Sequence, residues 1–161
     1  YITILMGAND ICTSSVATMT TTATFQSQFQ NAINDVKAND PTAIVYVVSI
    51  PHIYQLWSLE HTNPYAYSTW YAAKICQSML CTCDTSADRT AVDAHERELN
   101  GVLASLTAQA GANFYWDNNA TFNYNFVDAE VSHLDYFHPS LTGQNTLATV
   151  TWANGPYKNL A

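Results

Sequence analysis

The feature that most constrains the fold is the segment Ala43–Ile50, an almost uninterrupted run of apolar residues. A strand-sized run without a polar face predicts a strand covered on both sides, as in a parallel sheet. A second run, Tyr1–Met6, consists of β-branched and apolar residues and stops at Gly7. Between the two runs, apolar residues recur at spacings of four and three, which predicts a helix: Phe25, Phe29, Ile33 and Val36. Because a strand, a helix and a strand in this order form a right-handed crossover unit, we expect the two strands to be parallel.

The rest of the chain continues the alternation of helices and strands. Helices are predicted at three places: Tyr71–Leu80, Asp88–Ala110, and from Ser140 or Leu141 to about Asn154. A short third strand is predicted at Asn113–Trp116, and the aromatic stretch His52–Trp70 is expected to form a loop with short helices. The pattern indicates the α/β class with a parallel sheet.

Length and composition exclude several classes of protein. The 161 residues suit one domain, and apolar residues make up 48% of them. Five basic residues against thirteen acidic ones give a formal net charge of −8, which leaves no basic groove for nucleic acid. No apolar run approaches the roughly 18 residues of a transmembrane segment. Few lysines, four cysteines and one glycosylation triplet, Asn119-Ala120-Thr121, favour an oxidising, extracellular setting.

The cysteines are Cys12, Cys76, Cys81 and Cys83. A zinc site that combines the last three with His95 is disfavoured, because the spacing matches no standard pair of ligands. Disulfides are the better interpretation in an extracellular chain. Four cysteines allow three pairings, and a partner outside this chain stays open.

A first candidate site lies where the first strand ends, at Gly7-Ala8-Asn9-Asp10. Ligands of parallel sheets bind beyond the carboxyl ends of the strands. Glycine lets the backbone turn and approach a substrate closely, and the amide of Asn9 can donate hydrogen bonds to a developing oxyanion. The alternative is a plain turn, which asparagine and aspartate also favour.

A second candidate site lies in the segment Ser132–Ser140, just before the last predicted helix. Asp135 and His138 are three residues apart on a turn, so the carboxylate can orient the imidazole and stabilise it when it takes a proton. The alternative is a pair that only stabilises the loop. A zinc site of His133, Asp135 and His138 is disfavoured, because an extended segment puts His138 on the opposite face.

Taken together, Ile4–Asp10 and Asp135–Ser140 resemble the third and the last signature blocks of the SGNH, or GDSL-type, hydrolases. The segment Asn9–Cys12 and the mid-chain segment Cys76–Cys83 are similar to secreted phospholipase B-like and bacterial lipase or esterase members. The resemblance implies a flavodoxin-like αβα sandwich with a parallel sheet. It also implies hydrolysis of a lipid ester or an acylated carbohydrate by Ser-His-Asp chemistry, with no cofactor and no metal.

The resemblance assigns a role to each matching residue. His138 becomes the general base, and Asp135 becomes its orienting acid. Asn9 becomes the side-chain oxyanion donor, with Gly7 shaping its approach, so Gly7 and Asn9 are the expected substrate-binding residues. Asp10 is expected to tie down the turn.

The sequence departs from the family at the nucleophile. No serine stands in a Gly-Asp-Ser block: Ser14 and Ser15 follow the Asn-Asp turn, and Ser140 is positioned to cap a helix. The block that supplies the family's glycine oxyanion donor has no counterpart either, and both blocks precede the segment that opens this chain. We therefore expect residues 1–161 to be the C-terminal portion of a single secreted hydrolase domain, with the nucleophilic serine on an upstream segment.

Two alternatives stay open at this point. A carbohydrate (acetyl) esterase would use the aromatic stretch Tyr54–Tyr71 as a wall for a sugar, although core packing also explains these residues. A non-catalytic binding module would keep the fold without the nucleophile.

Overall fold

The computed structural model describes residues 1–159 and has a mixed α/β architecture around a parallel sheet. The strands lie in the order β1-β2-β3, and their bounds are Ile2–Leu5 for β1, Val45–Val48 for β2 and Phe114–Trp116 for β3. The helices are α1 (Ala8–Ile11), α2 (Thr22–Asn39), α3 (Tyr54–Glu60), α4 (Pro64–Ala73), α5 (Gln77–Leu80), α6 (Ser86–Ala110) and α7 (Leu141–Asn154). Short 3-10 helices lie at Val16–Thr18 and Asp128–Glu130.

The central strand β2 is buried along its whole length, as its apolar run predicts. It pairs in parallel with β1 on one side and with β3 on the other, so the predicted parallel pairing of the first two strands is confirmed. Val45 and Val47 belong to the core cluster, whereas the ring of Tyr46 lies beside Gly155 at the end of α7. The strand is therefore covered on both faces.

Helices α2 and α6 pack against each other, and both contribute buried side chains to the main core. The apolar stripe of α2 is buried at Phe25, Phe29 and Ile33. Each helix is preceded by a capping threonine whose side chain accepts a backbone N–H: Thr21 for α2 and Thr85 for α6. Such caps stabilise the first turn of a helix.

The predicted helix over Tyr71–Leu80 is wrong. Helix α4 ends at Ala73, Lys74 and Cys76 adopt left-handed conformations with φ of 54° and 42°, and α5 begins at Gln77. Tertiary contacts with the end of α1 hold the broken segment: Cys76 is bonded to Cys12, and Ser78 Oγ donates to Ile11 O over 2.6 Å.

The four cysteines form two disulfides, Cys12–Cys76 and Cys81–Cys83. This pairing selects one of the three that the sequence allows, and it is compatible with an extracellular protein. Between residues 1 and 159, no helix is both long enough and apolar enough to cross a membrane.

Candidate active site

The segment after β1 turns sharply at Gly7 and enters α1. Gly7 has φ of 117°, a conformation that favours glycine, and a Cβ at this position would lie 2.8 Å from Ile50 Cγ1. The turn is closed by a hydrogen bond from Asp10 N–H to Gly7 O at 3.0 Å, and Asp10 O accepts from Thr20 N–H at 2.9 Å. Asn9 is exposed on α1. The turn thus presents the Asn9 side chain at the carboxyl end of the sheet.

The second predicted segment brings Asp135 and His138 into direct contact. His138 Nδ1 lies 2.6 Å from Asp135 Oδ2, and Asp135 Oδ1 accepts the backbone N–H groups of Phe137 and His138, both at 3.0 Å. Burial alone would raise the pKa of Asp135, but these hydrogen bonds and the adjacent imidazole hold it below its ordinary value. The carboxylate is therefore ionised and fixed in place.

The loop that carries this pair is anchored at both ends. Ser132 N–H donates to His138 O at 2.8 Å, which closes the loop on itself, and Ser140 N–H donates to Glu130 O at 2.8 Å. Tyr136, at φ of 56°, accepts the indole N–H of Trp70 on its carbonyl oxygen. The loop that carries the imidazole is thus held at both ends by hydrogen bonds.

Asn9 and His138 line the same cavity, which has a volume of about 250 Å³. It lies beyond the carboxyl ends of β1 and β2, where parallel sheets bind ligands. Most of its wall is apolar: Leu5, Met6, Ala8, Ile50, Pro51, Ile53, Leu56, Phe126, Val131, Phe137, Pro139 and Leu147. The structure therefore brings side chains of the two predicted motifs, Asn9 and His138, to one apolar cavity.

The aromatic stretch Tyr54–Tyr71 does not form a wall of this cavity. Its contribution to the lining is Gln55 and Leu56, and the aromatic lining comes from elsewhere in the chain, at Phe126 and Phe137. Trp70 is buried in the core instead. Core packing thus accounts for Trp70, whereas Tyr65 and Tyr71 are exposed and lie outside the cavity lining.

A second histidine–aspartate pair at the cavity was missed by the sequence interpretation. His52 lines the cavity, and its Nε2 lies 2.6 Å from Asp93 Oδ1. Burial alone would raise the pKa of Asp93, but hydrogen bonds from Arg97 and His52 lower it. The available signal was the place of His52 just after β2, since strand ends are where ligands bind.

The zinc set of His133, Asp135 and His138 is not assembled. His133 Nε2 lies 3.2 Å from Asp128 Oδ1, whereas Asp135 is engaged with His138. Within residues 1–159, these three side chains do not form a cluster of potential metal ligands.

None of the serines in the described range bonds to His138. Ser14 Oγ and Ser15 Oγ lie within hydrogen-bonding distance of Thr18 Oγ1, at 3.1 and 3.3 Å. Ser140 Oγ accepts Gly143 N–H and donates to Ala129 O, so it caps α7. Each hydroxyl of the three candidates has a local structural role.

No protein-family model matches the chain, and comparisons with curated proteins and with solved structures return no match either. The fold and the site together define an α/β protein with a parallel sheet and a histidine–aspartate pair at the rim of an apolar cavity.

Proposed function

We propose that this chain carries the acid–base machinery of a secreted serine ester hydrolase of the SGNH type. The observation that supports this proposal most strongly is that His138, paired with Asp135, faces the same apolar cavity as Asn9. A general base, its orienting carboxylate and an oxyanion donor at one cavity are the parts that acyl transfer by a serine needs.

The proposed reaction assigns one task to each residue. His138 Nε2 takes the proton of a serine hydroxyl as that oxygen attacks the ester carbonyl, while Asp135 holds the Nδ1–H and stabilises the imidazolium. The amide of Asn9 donates to the oxyanion of the tetrahedral intermediate. His138 then protonates the leaving alcohol, and water attacks the acyl-enzyme in the same way to release the acid.

The nucleophile of this proposal comes from an upstream segment of the same protein. The strand order β1-β2-β3 is the order that the last three strands of a flavodoxin-like 2-1-3-4-5 sheet show. Among the described residues β1 is an edge strand, and apolar Leu5 and Met6 at its end are 45% and 67% exposed. The unpaired edge of a strand is a template for pairing with another strand, so an upstream strand and its helix would cover this edge in an αβα sandwich.

The cavity supports an acyl ester as the substrate class. Its wall is largely aliphatic, which suits a fatty acyl chain better than a polar sugar. A volume of about 250 Å³ is below the roughly 300–1,000 Å³ of common small-molecule sites. We therefore assign it an acyl chain of short to medium length, on a lipid or another apolar alcohol.

The proposal is tested by comparing the 161-residue chain with the same chain extended by its natural upstream sequence. A fluorophosphonate probe should label an upstream serine of the extended protein and leave the 161-residue chain unlabelled. Nitrophenyl butyrate should be hydrolysed faster than acetylated xylan. Labelling of Ser14, Ser15 or Ser140 would show that the nucleophile is misplaced, and an extended protein that is neither labelled nor active would favour a binding module.

A further inference from the structure

Glu60, the last residue of α3, has a buried carboxylate that the protein leaves half satisfied. The residue is 2% exposed. Its Oε2 accepts a hydrogen bond from Asn63 Nδ2 at 2.9 Å, whereas its Oε1 meets no donor among the described residues. Burying a carboxylate with so few partners is costly, so this oxygen is suited to accept a further ligand.

Two further ligand groups stand in front of Glu60. Asp128 Oδ1 and His133 Nε2 lie 3.2 Å apart, and one ligand atom from each of the three residues lies within 4.8 Å of the others. Tetrahedral zinc with bonds of about 2.0–2.2 Å separates its ligand atoms by roughly 3.3 Å, so the aspartate and the imidazole already have that spacing. The His133 ring also stacks on Tyr136, with centroids 5.3 Å apart.

Two other acidic side chains, half-buried Asp93 and buried Glu130, have the cation or the set of donors that Glu60 lacks. Asp93, beside Glu96, is bonded by both Nε and Nη2 of Arg97. Glu130 accepts from Thr146, Tyr124 and the N–H of Val127. Within residues 1–159, no lysine or arginine forms an ion pair with Glu60 or Asp128.

The geometry points to a divalent metal site formed by Glu60, Asp128 and His133. One imidazole nitrogen with two carboxylate oxygens is a ligand set for zinc, whereas calcium takes oxygen ligands. The side chains of Asp128 and His133 are 66% and 59% exposed, so an ion enters from solution and meets the buried Glu60. The bound ion would tie the end of α3 to the loop that leads to Asp135. None of the three ligands lines the cavity, and the site does not depend on the proposed hydrolase activity.

Isothermal titration of the metal-stripped chain with zinc chloride and with calcium chloride tests the site. We expect one zinc ion per chain at micromolar affinity or tighter, and calcium at least a hundredfold weaker. Glu60→Gln and His133→Gln should each weaken zinc binding at least tenfold. The matched control is His95→Gln, because His95 Nδ1 lies 3.1 Å from Glu98 Oε2 in a similar pair without a buried third carboxylate. This control should bind zinc like the parent chain.

The outcomes separate the proposal from its competitors. Absent zinc binding, or His133→Gln binding as tightly as the parent, overturns it. Loss of binding in His138→Gln with retention in His133→Gln would move the ion to the Asp135–His138 pair and overturn it as well. Because His133 is exposed, His133→Gln should fold normally, and it therefore tests the site even if Glu60→Gln folds poorly. Zinc should also raise the melting temperature of the parent more than that of His133→Gln at the same zinc concentration.

Discussion

Asp135 binds His138 twice, since one carboxylate oxygen lies 2.6 Å from the imidazole Nδ1 and the other accepts the backbone N–H of His138 at 3.0 Å. The side chain thus shapes the turn and orients the ring at once. These two tasks are separable, because asparagine keeps an oxygen for the backbone N–H but brings an amide to the imidazole.

Asp135→Asn should therefore leave the fold intact and impair catalysis in the extended protein. We expect kcat to fall by roughly 10²–10⁴-fold, because the imidazole loses its orienting acceptor and the charge that stabilises the imidazolium. The melting temperature and the kinetics on nitrophenyl butyrate measure the two effects. The control, Asp35→Asn on the exposed face of α2, should change neither. An Asp135→Asn enzyme with full activity would remove Asp135 from the catalytic machinery.

Gly143, in the first turn of α7, packs directly against the chain that precedes the His138 loop. A methyl group at this position would overlap the carbonyl oxygen of Glu130 and would lie 3.1 Å from Pro139 Cβ. Gly143→Ala should lower the free energy of unfolding by about 1–3 kcal/mol, because backbone atoms have to move. Denaturant unfolding measures the change.

The matched control is Gly101, which lies on α6 with nothing within 4 Å of an added Cβ. Gly101→Ala should stabilise the chain by about 0.5–1 kcal/mol through better helix propensity. Equal effects of the two substitutions would contradict the close packing at Gly143.

The two disulfides should contribute unequally to stability. Cys12–Cys76 spans a sequence separation of 64 and Cys81–Cys83 a separation of 2. In the loop-entropy model the first is worth about 4 kcal/mol and the second about 1.5 kcal/mol. Replacing Cys12 and Cys76 by alanine should therefore lower the melting temperature much more than replacing Cys81 and Cys83. Equal losses from the two double variants would speak against this ranking.

Glu96 should make the chain less stable as the pH rises. It is fully buried on α6, and both of its carboxyl oxygens face the single N–H of Ile53, at 3.3 and 3.2 Å. Burial raises the pKa of Glu96 from 4.5 to about 9. The hydrogen bond from the Ile53 N–H and the positive charge of Arg97 oppose this rise, and the negative charge of Asp93 adds to it. His52 also faces this cluster. Above pH 4.5 the unfolded chain therefore releases a proton that the folded chain keeps.

The sign of the effect follows from that difference in bound protons. Because the folded state holds the extra proton, the free energy of unfolding falls with rising pH until the folded carboxyl ionises near pH 9. The loss amounts to on the order of 4 kcal/mol between pH 4.5 and pH 7.5. Glu96→Gln should remove it, so its advantage over the parent in urea unfolding grows with pH. An advantage that stays constant with pH would show that Glu96 does not titrate in this range.

The parts of the structure that the sequence predicted depend on local patterns. The run Ala43–Ile50 identifies a strand buried on both faces, and the three-residue spacing of Asp135 and His138 allows a carboxylate to reach an imidazole on a turn. Contacts between distant segments had no such signal. His52 meets Asp93 across 41 positions of sequence, on elements whose packing no periodicity specifies.

The burial of charged side chains could not be predicted from the sequence either. Glu60 and Glu96 lie on helices where an acidic residue ordinarily faces solvent, and only the packing of the neighbouring elements encloses them. The break in the predicted helix Tyr71–Leu80 has a similar origin, because the bond from Cys76 to Cys12 overrides the local helical preference.

The most direct test of the central claim is the rate of ester hydrolysis by the extended protein when His138 is replaced. With nitrophenyl butyrate, His138→Ala should lower kcat by roughly 10²–10⁴-fold, as expected for the loss of a general base. His95→Gln, whose side chain lies outside the cavity, should keep the parent rate. An unchanged rate in His138→Ala would contradict the assignment of His138 as the general base. A loss of the predicted size in His52→Gln, with the parent rate kept in His138→Ala, would contradict it as well.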